Sequence, residues 1–258
     1  VTARLLEVQG LTVRFGGLTA LHGFDFALNE GEIVGLIGPN GSGKTTFFNA
    51  LTGIYRPAGG EVRLRGVQIT GLAPRRVYAA GVTRTFQRAR LCLHLSVFDN
   101  LMIGNHRELD HGLFANVLGR RRLRRQVADN LHKARDLLER FSAPLAARLF
   151  DPVARLPMID RRRVEVCRAL GSDPHILLLD EPSAGMTHEE TRVLMDDLLA
   201  CRARMPKLAL VLIEHEMGAI ERVSDRCVVL NYGETIARGV YQEVARDPRV
   251  RAAYLGED

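Results

Sequence analysis

Gly38-Pro39-Asn40-Gly41-Ser42-Gly43-Lys44-Thr45 fits the pattern G-x-x-x-x-G-K-[ST] at every fixed position. Glycines at this spacing let successive backbone N–H groups turn inward around phosphate oxygens. Lys44 then reaches the β- and γ-phosphates of a nucleotide, and the Thr45 hydroxyl ligates Mg²⁺. The expected nucleotide-binding set is therefore Gly38, Pro39, Asn40, Gly41, Ser42, Gly43, Lys44, Thr45 and Thr46. A second group lies far along the chain, in Ile176-Leu177-Leu178-Leu179-Asp180-Glu181. Four apolar residues predict a buried strand with two carboxylates at its C-terminal end, where ligands of open α/β sheets bind. Asp180 is expected to hold Mg²⁺, directly or through water. Glu181 is expected to polarise an attacking water as general base.

The surrounding elements suit these roles. Glu32 to Ile37 reads as a mainly apolar strand that runs straight into the glycines, and Lys44 to Leu51 as the following helix, stopped at Gly53 and Pro57. The start of that helix adds unpaired N–H groups and a dipole favourable to phosphate. Phe24, Phe26 and Leu28 alternate with Asp25 and Ala27, as in a half-buried strand, and Asn29-Glu30-Gly31 marks a turn. Residues 61–69 read as short strands around Arg65-Gly66. Roughly residues 90–170 read as mostly helical, with Leu123, Val127, Leu131, Ala134, Leu137, Leu138 and Phe141 at three- and four-residue spacings. The last third alternates strand 176–179, helix 188–203, strand 208–213, helix 215–223 and strand 226–230. That order predicts an α/β core with a largely parallel sheet and a helical lobe inserted between its halves.

The chain has 258 residues, 46% hydrophobic and 26% charged, enough to bury a sizeable core. Its longest clean apolar run, Leu208 to Ile213, is far short of the roughly 18 residues that would span a bilayer. The start, Val1 to Leu6, does not read as a secretory signal; if a membrane is involved, the contact is expected through a partner. Cys92, Cys167, Cys201 and Cys227 are far apart and are expected to be reduced thiols of a cytoplasmic protein. The net charge of +6 is concentrated in Arg120-Arg121-Arg122-Leu123-Arg124-Arg125. This run is read as a solvated helix face, with lipid headgroups or a partner as the alternatives. No aromatics interleave with it, which argues against a single-strand nucleic-acid platform.

The ordered set of motifs is similar to the nucleotide-binding subunits of ABC transporters over essentially the whole chain. Gln87 in Thr85-Phe86-Gln87-Arg88 resembles the Q-loop. Ser183-Ala184-Gly185-Met186, directly after Asp180-Glu181-Pro182, resembles the D-loop. His215 in Leu212-Ile213-Glu214-His215-Glu216-Met217 resembles the switch histidine, and Phe15 before Gly16-Gly17 resembles the aromatic that stacks on adenine. The resemblance implies that Gln87 contacts Mg²⁺ or the water and borders the groove for a membrane subunit. It implies that His215 hydrogen-bonds the γ-phosphate and stabilises transition-state charge. It also implies a P-loop NTPase core with a mostly parallel sheet, an antiparallel β subdomain and an inserted α-helical subdomain. The domain boundaries that follow are about 1–90 and 172–240 for the core, 91–171 for the helical subdomain with the signature region, and 241–258 for a C-terminal helical tail.

A narrower likeness is to the ATPase subunits of branched-chain amino-acid importers. It rests on Val82 to Gln87, on Leu95-Ser96-Val97-Phe98-Asp99-Asn100-Leu101 and on the tail from Asp247 to Gly256. It implies two transmembrane permease subunits, a second ATPase subunit and an extracytoplasmic solute-binding protein, with this chain at the cytoplasmic face of the inner membrane and no nucleic acid. The cargo it implies is a branched-chain or other hydrophobic amino acid; urea, amides and aromatic acids stay open.

One stretch departs from the family. Its signature loop usually reads Leu-Ser-x-Gly-Gln; here it is Leu156-Pro157-Met158-Ile159-Asp160 before Arg161-Arg162-Arg163. Pro157 has neither the hydroxyl nor an N–H, Ile159 puts a branched side chain where glycine permits close approach, and Asp160 brings negative charge or caps the helix. On one reading the loop is degenerate, and this chain hydrolyses ATP against a partner's intact signature, which favours a heterodimer over a homodimer. On the other it is a tolerated variant, with the helix N-terminus and Arg161 or Arg162 supplying the phosphate contacts. Two other functions compete with transport: a soluble ABC-type ATPase acting on DNA or ribosomes, and a P-loop kinase. The single P-loop, the absence of sustained heptads and the Asp180-Glu181-His215 set favour the transport ATPase.

Overall fold

The computed structural model describes residues 4–85, 91–104 and 120–255, with the side chains of 120–126 and 255 excepted. β1 (Arg4–Phe15) and β2 (Leu18–Asn29) form an antiparallel hairpin. β3 (Ile33–Ile37) and α1 (Lys44–Leu51) follow. β4 (Gly59–Leu64) and β5 (Val67–Gln68) complete a four-stranded antiparallel sheet in the order β2-β1-β4-β5. After α2 (Pro74–Ala79) come β6 (Val82–Arg84), β7 (Ile176–Asp180), β8 (Ala209–Ile213), β9 (Arg226–Asn231) and β10 (Glu234–Gly239). With β3 they make a six-stranded sheet in the order β10-β9-β3-β8-β7-β6. It is parallel from β9 to β6, and β10 is antiparallel to β9. The remaining helices are α3 (Val97–Gly104), α4 (Arg120–Glu139), α5 (Ala143–Ala147), α6 (Met158–Leu170), α7 (His188–Arg204), α8 (Met217–Val223), α9 (Tyr241–Val244) and α10 (Pro248–Leu255). The expected α/β class, with a mostly parallel sheet and a separate antiparallel one, is what the chain forms.

The chain divides into two compact units. One comprises Val1–Gln87, His175–Ala184 and Arg202–Asp258; the other comprises Arg88–Pro174 and Gly185–Cys201. The first holds both sheets. Its central strands β3, β7 and β8 are buried at every position, as parallel strands covered on both faces must be. α1 is only eight residues long, too short to persist by itself. Tertiary packing holds it: Phe47 lies 5.0 Å from Phe24 and 5.2 Å from Phe26, ring centre to ring centre. Burying such a ring is worth roughly 1.5–3 kcal/mol. Leu5, Leu21, Leu36, Phe48 and Val211 extend this core.

The second unit is helical among its described residues. Gly104 lets α3 approach α6 closely, since a Cβ there would stand 2.4 Å from the Arg168 carbonyl oxygen. On α4 the buried stripe is Asn130, Ala134 and Leu138, continued by Phe141; Val127, expected on that face, is half exposed. Cys167 and Cys201 are buried thiols here, and burial pushes the Cys167 thiol well up.

Two local differences from the sequence reading have simple causes. α8 starts at Met217, after Glu216 as N-cap, so His215 stands in the loop rather than in the helix. β10 was not anticipated. Tyr232 (φ 44°) and Gly233 (φ 81°) make a two-residue turn with positive φ at both positions, the hairpin geometry that suits strand twist. Tyrosine is an uncommon residue there, and the strand that follows, Glu234-Thr-Ile-Ala-Arg-Gly, has little apolar alternation.

Candidate active site

The phosphate-type loop joins β3 to α1 by three glycines at positive φ: Gly38 at 148°, Gly41 at 79° and Gly43 at 111°. Two of them are also pressed by neighbours. A Cβ on Gly38 would lie 2.0 Å from the Leu230 carbonyl oxygen of β9, and one on Gly43 would lie 2.8 Å from the Ala20 carbonyl oxygen of β2. The Gly233 N–H donates to the Ser42 carbonyl at 2.9 Å, tying the β9–β10 turn to the loop. The first-turn amides of α1 have no intrahelical acceptor and point toward the loop. Asn40 and Gly41 are exposed at its tip, as is Thr45, with Thr46 half-buried behind it.

Lys44 is buried. Its Nζ donates to the Gly38 carbonyl at 2.7 Å and the Pro39 carbonyl at 2.8 Å. Burial lowers its pKa, while the nearby negative charges of Glu181 and Asp180 act to raise it. The ammonium is thus within electrostatic reach of both carboxylates, which arrive from a strand more than 130 residues away in sequence.

Asp180 ends β7 and pairs in register with Ile213 of β8. It is almost wholly buried, and burial raises its pKa against the opposing pull of Arg84. Its Oδ2 accepts a hydrogen bond from Arg84 Nη2. Its Oδ1 has no hydrogen-bond partner. A buried carboxylate oxygen left without a donor is costly and is suited to a cation. Among the described residues no three or more His, Cys, Asp or Glu side chains form a cage of their own. One carboxylate oxygen and the exposed Thr45 hydroxyl fit Mg²⁺, which takes one or two protein ligands and completes its shell with waters and substrate phosphates.

Glu181 takes a left-handed φ of 49°, a strained conformation for a side-chain-bearing residue. Its N–H continues the β7–β8 ladder to the Ile213 carbonyl at 2.9 Å. Its Oε1 lies 2.8 Å from His215 Nε2. An ionised carboxylate only accepts, so the imidazole donates from Nε2. His215 is about half exposed, and Glu181 is largely buried.

Phe15 lies at the end of β1, 44% exposed, edge-on to Tyr55 with ring centres 5.0 Å apart. Its cross-strand partner Leu18 is two residues from Ala20, the residue pressed against Gly43. Two residues along a strand are about 7 Å, so this exposed aromatic lies near the loop. Gln87 lies outside the described residues.

Four residues at this site were not singled out from sequence. Arg84 and Asn49 brace Asp180. Glu214, buried, accepts from the Ser183 N–H at 2.8 Å and from the His215 N–H at 3.3 Å, and burial raises its pKa. The Tyr254 phenol of α10 meets the backbone of Gly38; burial pushes its pKa up to about 12 against that hydrogen bond. The only signal for Glu214 was an acidic residue between the end of the apolar run Leu208–Ile213 and His215.

In the helical unit, Pro157 precedes α6 without a side-chain cap. Asp160 lies in the first turn but pairs with Arg163 at 3.0 Å instead of capping. Arg161 is turned back on the Leu156 and Ala154 carbonyls, at 2.9 and 2.7 Å. Arg162 is buried against Glu165 at 3.0 Å.

The chain matches the ABC transporter family over residues 21–184 and the branched-chain amino acid ATP-binding cassette transporter family over residues 234–258. It is 42% identical over 253 residues, 98% of each chain, to the high-affinity branched-chain amino acid transport ATP-binding protein LivG of Salmonella typhimurium. To BraF of Pseudomonas aeruginosa, which has the same description, it is 39% identical over 256 residues, again 98% of each chain. In three dimensions it is similar to the crystal structure of the ADP conformation of an ATP-binding cassette of an ABC transporter, with TM-score 0.84 and 27% identity, covering 99% of this chain and 100% of that chain. A nucleotide-free ATP-binding cassette matches with the same TM-score, identity and coverage. With a phosphate-type loop, a buried aspartate and a Glu–His pair on one sheet, and likeness along its full length, the chain belongs to the ABC transporter family as an ATP-binding cassette.

Proposed function

We propose that this chain is the ATP-binding and hydrolysing subunit of an importer for branched-chain or other hydrophobic amino acids. The observation that carries the reading is the gathering of Lys44, Asp180, Glu181 and His215 at the C-terminal ends of β3, β7 and β8. The relatives' descriptions support the cargo class.

Binding would exchange the carbonyl contacts of Lys44 for β- and γ-phosphate oxygens. Thr45 and Asp180 Oδ1 would hold Mg²⁺, which supplies charge neutralisation at the transferring phosphoryl group. Glu181 would orient and polarise the attacking water, with its carboxylate steadied by His215. His215 would then donate from Nε2 to the γ-phosphoryl oxygens as charge develops. Phe15 would stack on adenine from its exposed face.

Among the described residues no helix is long and apolar enough to cross a membrane, so two permease subunits would supply the path and a solute-binding protein the cargo. ATP would favour a closed pair of ATPase subunits, and release of products would reopen it. We favour a different ATPase subunit as the partner. Pro157 and Ile159 remove the phosphate contacts of a signature loop, and Arg161 and Arg162, the side chains expected to join the helix N-terminus in replacing them, are held by local acceptors.

The test is ATPase activity of the purified chain, alone and mixed with the second ATPase subunit, followed by leucine uptake with the assembled transporter in vesicles. Turnover that needs the partner and drives leucine uptake is expected. Turnover by the chain alone, rising steeply with its concentration, would overturn the asymmetric pairing. Pro157→Ser with Ile159→Gly should raise turnover of the assembled pair; an unchanged rate would count against a degenerate loop.

A further inference from the structure

We propose that Arg84 is a positioning residue that sets the metal-binding oxygen of Asp180 and fixes it to the helix of the phosphate loop; this rests on the reading of Asp180 as a Mg²⁺ ligand. Arg84 pairs in register with Leu178 of β7, two residues before Asp180. Residues two apart share a face of the sheet, so a long side chain at 84 reaches Asp180 along the diagonal. The end of β6 is held there by the Thr85 N–H on the Leu178 carbonyl at 2.9 Å.

The guanidinium divides its two Nη groups between elements. Nη2 donates to Asp180 Oδ2 on β7, and Nη1 donates to Asn49 Oδ1 on α1 at 2.5 Å. Its carbon sits 5.3 Å from the centre of the Phe48 ring, also on α1. Two hydrogen bonds and a ring face define the plane of the fork. The side chains of Arg84 and Asp180 are nearly inaccessible, at 5% and 2% exposure, so water does not replace these contacts.

The consequence for Asp180 is an asymmetry between its oxygens. Oδ2 is committed to Arg84, and Oδ1 has no donor. Rotation about χ2 would break the buried bond, so Oδ1 stays as the available ligand. Asn49 lies on the same helix as Thr45, so one guanidinium holds the two elements expected to share the metal. A lysine would keep the charge but is a point donor on a flexible stem, without the fork that spans both acceptors.

The experiment uses the full chain and the fluorescent analogue TNP-ATP. Binding is measured in EDTA and then as a function of Mg²⁺, for wild type, Arg84→Lys, Asn49→Ala and Asp180→Asn. Partners that orient metal ligands typically change metal affinity by about 10–100-fold when removed. Arg84→Lys is expected to raise the Mg²⁺ half-saturation concentration about tenfold, with metal-free binding unchanged. Asn49→Ala leaves the buried ion pair in place and should give a smaller rise in the same direction, a safeguard should Arg84→Lys fold poorly. If Asp180→Asn shifts the Mg²⁺ dependence while Arg84→Lys and Asn49→Ala do not, the positioning role is wrong and the ligand role of Asp180 stands. If Asp180→Asn also leaves it unchanged, both fall.

Discussion

His215 Nε2 and Glu181 Oε1 face each other at 2.8 Å from the ends of two adjacent parallel strands. The pair is framed by two hydrogen bonds between the same segments, Glu181 N–H to the Ile213 carbonyl and Ser183 N–H to the Glu214 carboxylate. The second extends the ladder beyond the sheet, with a side-chain carboxylate acting where strand carbonyls run out. The backbone segments that carry the proposed general base and the proposed γ-phosphate donor are therefore tied to each other on either side of the pair.

His215→Ala removes the donor and leaves the loop intact. We expect kcat for ATP to fall by about a hundredfold or more, the scale of losing a transition-state donor, with the nucleotide Kd changed much less. Steady-state kinetics beside equilibrium binding would check this, and a wild-type kcat would exclude the role.

Glu214 gives a prediction about pH. Burial raises its folded pKa above the ordinary carboxylate value of 4.5. Below 4.5 both states carry the proton and the group adds no pH dependence. As pH rises from 4.5 through the folded pKa, the unfolded state ionises first and this group's contribution to stability falls. Glu214→Gln should therefore gain stability relative to wild type between acid and neutral pH. Urea denaturation at several pH values would show it; a relative loss over that interval would reverse the assignment.

Two glycines of the loop should behave differently. Gly38→Ala drives a Cβ to 2.0 Å from the Leu230 carbonyl, at φ 148°. Gly41→Ala meets nothing within 4 Å and is strained only by its φ of 79°. We expect Gly38→Ala to cost about 1–3 kcal/mol or more and to lose nucleotide binding. Gly41→Ala should cost about 1–2 kcal/mol. Thermal unfolding would rank them, and equal losses would contradict the packing described for Gly38.

Much of this architecture was legible in the sequence, for physical reasons. Gly38, Gly41 and Gly43 all take positive φ, and Gly38 and Gly43 are also pressed by neighbouring carbonyls, so glycine is favoured at each and the motif announces itself. Buried parallel strands must be apolar throughout, so Ile176–Asp180 and Ala209–Ile213 stand out. Arg84 and Glu214 did not stand out, because a buried charge looks like a surface charge until its partner is known. Arg84 finds Asp180 across 96 residues, and Glu214 finds Ser183 across 31. The β9–β10 hairpin was hidden by a turn of Tyr232-Gly233 rather than Asn-Gly.

Phe15 should contribute to nucleotide affinity by stacking on the base. Stacking on an aromatic side chain is worth about 1–3 kcal/mol. Phe15→Ala is then expected to weaken ATP binding roughly 5- to 150-fold, with Phe15→Tyr close to wild type. Fluorescence titration would measure it. If binding is unchanged, the exposed face of Phe15 serves another purpose, such as packing with Tyr55.

The most direct measurement is the single-turnover ATPase rate of Glu181→Gln beside wild type, each assembled with the proposed second ATPase subunit and saturated with Mg²⁺ and ATP. The account predicts that the variant binds ATP as tightly as wild type and that hydrolysis at this site slows by about 10²–10⁴-fold. Hydrolysis at the wild-type rate, with binding intact, would contradict it.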